Sequence, residues 1–120
     1  MSAESSYQSK LGPVRRLKEP EKALMRRLLE ISGDSGALLN LLDTMDVQEM
    51  SDGGMGSLYI VSRTKEANLR TFGDRIAELQ FNDTDGVAIL ASLNVDEDGD
   101  LLELDVWKTD SSPTVQLKPP

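Results

Sequence analysis

From Val87 to Val106 the chain reads VAILASLNVDEDGDLLELDV, apolar at alternate positions on both sides of an Asp-Gly pair. Side chains on a strand switch faces at every residue, so this pattern predicts two half-buried strands. Asp98-Gly99 supplies the turn between them, because glycine accepts the positive φ that a tight hairpin requires. With residues 96–99 as the loop, Leu93 pairs with Leu102, Ala91 with Leu104 and Ile89 with Val106, and all six are apolar on one face. Asp85-Gly86 makes a second turn. With residues 82–86 as its loop, Phe81 pairs with Val87, Leu79 with Ile89 and Ala77 with Ala91. Both hairpins bury the same odd-numbered side of the central strand, and a one-residue slip in either would turn its apolar set to water.

A third pair, Asp52-Gly53, predicts a further hairpin with Val47 opposite Leu58 and Met45 opposite Ile60. Upstream, EPEKALMRRLLEISGDSG reads as a helix. Pro20 suits the first turn, Leu24, Leu28 and Ile31 with Met25 and Leu29 make the apolar stripe, and Gly33 ends it. ALLNLLD predicts a short second helix capped by Ser35, while residues 64–74 fit either a helical turn or a crossing loop. The expected fold is α+β: an N-terminal helix or helix pair on an antiparallel meander of about five strands. Residues 1–12 are expected to form a flexible tail, 13–110 a single domain and 111–120 an extended tail with three prolines.

The chain has 120 residues, one domain's worth, with 38% hydrophobic and 28% charged residues. No apolar run approaches the roughly 20 residues needed to cross a bilayer, and the first residues lack the apolar stretch of a signal peptide. Cysteine and histidine are both absent. That removes disulfides, thiolate chemistry and the side chain that most often moves protons near neutral pH. A cytoplasmic protein without membrane contact is the expectation. Residues 1–30 carry seven Lys and Arg against four Glu, so the rest holds more than the whole net charge of −8. Such a body repels phosphate backbones and favours a basic protein partner over nucleic acid.

NVDEDGDLLELD (94–105) imitates a calcium loop, with Asn94, Asp96 and Asp98 at positions one, three and five and Gly99 at six. Position twelve should be a bidentate Glu and is Asp105, and the flanks alternate as strands where that loop needs helices. The hairpin is the better reading. The alternative kept open is a metal-dependent or calcium-responsive protein using this acidic loop. GGMG (53–56) lacks the Lys and Ser/Thr of a nucleotide loop and reads as a turn. Glu103 and Asp105 share a strand face about 7 Å apart, as acidic residues on a solvated sheet commonly do. No catalytic residue, metal ligand or cofactor is assigned.

Trp107, the one tryptophan, falls opposite the buried set beside Leu101, Glu103 and Asp105. Ala88 and Leu90, then Ile76, Glu78 and Gln80, are expected across the sheet on that face. The candidate protein-binding residues are therefore Trp107, Asp105, Glu103, Leu90 and Glu78, an aromatic and a leucine ringed by carboxylates. Either TVQLKPP or a helix covers Trp107 as a second small core, or the ring is exposed and open to a partner.

DGGMGSL (52–58), Asp85-Gly86 and NVDEDGDLLELDVWK (94–108) resemble a small bacterial domain family of unknown function. Its members are similar in an Asp-Gly-Gly-Met-Gly-Ser turn and a late Glu-Leu-Asp-x-Trp-Lys strand, over roughly residues 14–113 here. This chain has Leu102 and Ser111 where the family commonly has aromatics. The resemblance implies no activity; by analogy it implies an immunity-type or accessory protein, and it leaves the oligomeric state open.

Overall fold

The structure, a computed structural model, describes residues 11–34 and 36–120. The first ten residues of the expected tail and the expected cap Ser35 lie outside the described residues. The chain forms β1 (Arg15–Arg16), α1 (Glu19–Ser32), a 3-10 helix (Leu39–Thr44), β2 (Asp46–Glu49) and β3 (Leu58–Ile60). A 3-10 turn (Ala67–Leu69), β4 (Phe72–Asn82), β5 (Ala88–Asp96) and β6 (Leu101–Lys108) follow.

The fold is α+β, among the described residues one α-helix on one antiparallel sheet. Among the described residues the sheet has six strands, in the order β1-β2-β3-β6-β5-β4. It is therefore not a simple meander: β3 pairs with β6, and residues 61–71 carry the chain to the far edge where β4 begins. The expected second helix is a 3-10 segment, and the ambiguous stretch 64–74 is this crossing connection, followed by the start of β4.

All three hairpins keep the expected face but not the expected partners. Ala91 pairs with Val106, not Leu104; Ala77 with Leu93, not Ala91; and Val47 with Ile60, not Leu58. Each strand is displaced by two residues. A two-residue shift leaves every side chain on its face, so alternation is blind to it. The turn chemistry decides. Asp83 N–H donates to Val87 O at 2.9 Å, which draws Asp83 into the ladder. Met50 N–H donates to Ser57 O at 3.0 Å and does the same at the first hairpin. At the last one, Asp96 N–H closes on Asp100 O at 2.8 Å and an irregularity follows between Asn94 and Val95.

α1 lies over β4 and β5 and buries Leu24, Met25, Leu28 and Leu29 against Ile89, Ala91, Leu93, Leu104 and Val106. Each fully buried leucine of this set is worth about 1.5–3 kcal/mol of transfer free energy. Ile31, expected in the stripe, is 45% exposed. Gly33 stops the helix just beyond it, with Asp34 N–H donating to Leu29 O at 3.0 Å. At its start Glu21 accepts from Lys18 N–H at 2.8 Å and from Arg15 at 2.8 and 2.9 Å. That pair also welds β1 to the helix. No helix among the described residues is long and apolar enough to cross a membrane.

Candidate functional site

The face of the sheet opposite α1 divides into a covered end and an open end. At the covered end the crossing connection folds over Tyr59, Asn94 and Asp96, all nearly excluded from water. Arg70 is the pin. Its Nε donates to Asp96 Oδ2 at 3.0 Å, its Nη1 to Tyr59 OH at 3.1 Å and to Ile60 O at 2.7 Å. The guanidinium stands 5.5 Å from the centre of the Tyr59 ring, a cation–π distance. The expectation that even-numbered residues of β5 face solvent thus fails beyond Ala91, with Ser92, Asn94 and Asp96 buried. Leu101 and Ile76, also expected on this face, pack against the helix-side core. Irregularities between Arg75 and Ala77 and between Asn94 and Val95 re-aim them.

At the acidic turn the cation is supplied by the chain. Lys65 Nζ lies 3.0 Å from Asp96, 2.9 Å from Asp98 and 2.8 Å from Asp100. The hydrogen bonds that it donates to Asp100, Asp98 and Asp96 push the ammonium well above the ordinary lysine range. Burial alone would raise the Asp96 carboxyl. Lys65, the N–H groups of Asp100 and Asp98, and Arg70 outweigh it and hold the group far below the usual carboxylate range. The glycine-rich turn is likewise self-satisfied: Asp52 accepts from Met55 N–H at 3.1 Å and Ser57 N–H at 2.8 Å. It is a hairpin turn, as its sequence indicates.

The open end holds the residues that the sequence singles out, with Glu103 at its border with the covered end, between Tyr59 and Asn94. Trp107 pairs with Leu90 and Leu90 with Gln80; Asp105 pairs with Ser92 and Ser92 with Glu78; Glu103 pairs with Asn94. Cross-strand partners share a face, so Trp107, Asp105, Glu103, Leu90 and Glu78 converge on one surface. Trp107 is 44% exposed, and the C-terminal segment does not bury it. Glu78 is held by Arg75 at 2.9 Å. Asn94 Nδ2 donates to Glu103 at 3.0 Å. Asp105 accepts only from the Ser57 hydroxyl, at 3.3 Å, among the described residues.

Sequence reasoning missed Tyr59, Arg70 and Lys65, and on the other face it missed Lys108. Lys108 follows Leu102, Leu104 and Val106 on the helix side and is fully buried. Its Nζ donates to Asp83 at 2.8 Å, to Asp85 and to Pro113 O at 3.2 Å. Burial alone would raise Asp83. Lys108 and the N–H groups of Val115, Gln116 and Thr84 hold it far below the usual carboxylate range. The repeated Asp-x-Asp-Gly at 83–86 and 96–99 was the available signal.

Residues 14–118 match the family model described as Domain of unknown function (DUF6984), and the chain belongs to that family. No curated protein and no solved structure matches the chain.

Proposed function

We propose, for this member of a family whose function is unknown, a non-enzymatic protein-binding module that docks a basic partner on the open end of its sheet. The observation that carries this reading is the convergence of Trp107, Leu90, Asp105, Glu103 and Glu78 on the face away from α1, with the indole 44% exposed. An indole beside a leucine supplies the apolar centre of an interface, and the carboxylates around it select a cationic rim. The net charge of −8 draws such a partner in from a distance. Inhibition or escort of a basic protein is the role that this chemistry fits.

Trp107 is the single tryptophan, so its emission reports directly on its burial. A partner cross-linked to the native chain, then purified, shifts that emission to shorter wavelength on binding. Trp107→Ala weakens its affinity roughly tenfold or more, as truncation of a central aromatic does. An unmoved emission with equal affinity for both proteins would sink the siting.

A further inference from the structure

We infer that this surface takes an arginine side chain, its guanidinium laid on the Trp107 ring with one edge forked onto the Asp105 carboxylate. The inference rests on the docking reading above and names the side chain that the face selects. Its template lies on the same face. At the covered end, Arg70 stands over Tyr59 at 5.5 Å while donating to Asp96 at 3.0 Å. The open end repeats the pairing of aromatic and carboxylate in Trp107 and Asp105, and among the described residues no cation stands over Trp107.

The geometry suits a planar head on a long stem. Trp107 and Asp105 are two positions apart on β6, on the same face, about 7 Å apart by strand rise. Leu90, directly across from Trp107, offers apolar surface to the methylenes of the stem. Among the described residues Asp105 meets only the Ser57 hydroxyl, through Oδ1, which leaves Oδ2 to a donor. Glu78 is already held by Arg75.

Arginine is favoured over lysine for two reasons. A guanidinium is weakly hydrated and stacks on an indole, whereas an ammonium is compact and must shed a tight water shell at a half-buried carboxylate. The planar fork of a guanidinium also bridges a carboxylate edge-on while its face lies on a ring, a geometry that the point charge of an ammonium cannot match.

The test sets octa-arginine against octa-lysine, peptides of equal charge, so that general attraction to an acidic chain cancels. Calorimetry on the full chain reads affinity, and Trp107 emission reads the site. Octa-arginine is expected to bind about fivefold tighter or more and to change the emission. Trp107→Leu and the isosteric Asp105→Asn should each bring the two peptides within about twofold, with unchanged circular dichroism. Equal affinities with a changed emission would remove the arginine preference and leave the basic partner standing. No change of emission with either peptide would remove both. An emission shift that follows protein concentration without peptide would make a second copy the occupant and overturn the inference.

Discussion

The two turns at the ends of β5 are written in nearly the same words, Asp83-Thr84-Asp85-Gly86-Val87 and Asp96-Glu97-Asp98-Gly99-Asp100. They fold alike. Gly86 N–H returns to Asp83 O and Gly99 N–H to Asp96 O, both at 2.9 Å, and the glycines sit at φ 85° and 87°. In both, the first aspartate is buried, the third residue adds a second carboxylate, and a lysine from elsewhere in the chain is clamped between them. They differ in which face they serve. Asp83 points to the helix side and holds Lys108 with no side-chain exposure, whereas Asp96 points to the other side and shares a Lys65 that is 24% exposed. One turn thereby fastens the C-terminal segment, through Val115 and Gln116 N–H at 2.7 and 3.1 Å. The other fastens the crossing connection, through Arg70 and Lys65. Local sequence makes the clamp; the tertiary fold decides what it grips.

The comparison predicts its largest effect at Asp83. Asp83→Ala leaves the buried ammonium with only the partly exposed Asp85 and Pro113 O, and frees the C-terminal segment at once. Urea unfolding should lose about 3–5 kcal/mol, and the amides of Val115 and Gln116 should lose their exchange protection. Retained protection at those amides would separate the clamp from the tail. Acid offers a milder version that strikes both turns. Asp83 and Asp96 titrate well below their unfolded values. Their stabilising contribution is therefore complete above the unfolded pKa of about 4 and is lost progressively as pH falls below it, where the unfolded chain binds more protons. Unfolding free energy measured from pH 6 down to 2 should fall, and Asp83→Asn should flatten the fall.

A second substitution tests where the turns part company. Gly73 has no counterpart at the Asp83 turn: a Cβ there would stand 2.2 Å from Asp96 O and 2.9 Å from Glu97 Cα. Gly73→Ala should cost about 1–3 kcal/mol by overpacking and disturb the amides of 96–100 while leaving 83–87 unmoved. Disturbance at both turns would mean that the clamps are coupled through β5. The smallest effect is expected at Lys65→Met. Arg70 still pairs with Asp96 in that variant, so its thermal midpoint should fall by less than that of Lys108→Met. A larger fall than for Lys108→Met would reverse the order of the two clamps.

How far the candidate surface was legible follows from the same physics. Trp107, Asp105 and Leu90 sit where parity puts them, because a hairpin slip of two residues leaves parity untouched. Ser92 and Asn94 follow parity too, yet they are buried, and no local pattern in 61–71 announces which face the crossing connection will cross. Lys108 continues an apolar series at alternate positions, and a lysine in that series is ordinarily taken as the residue that leaves the core. Only Asp83 and Asp85, more than twenty residues away along the chain, make its burial tolerable.

By itself the sequence settled the strand faces away from the irregularities that re-aim Ile76 and Leu101, the three glycine-assisted turns and the amphipathic helix, since each depends on residues within reach of one another along the chain. The strand order, the two-residue offsets and the partners of Lys65, Arg70 and Lys108 were decided in three dimensions. Those features depend on groups from distant segments meeting where water is excluded, and there an unpaired charge costs far more than any local preference can supply.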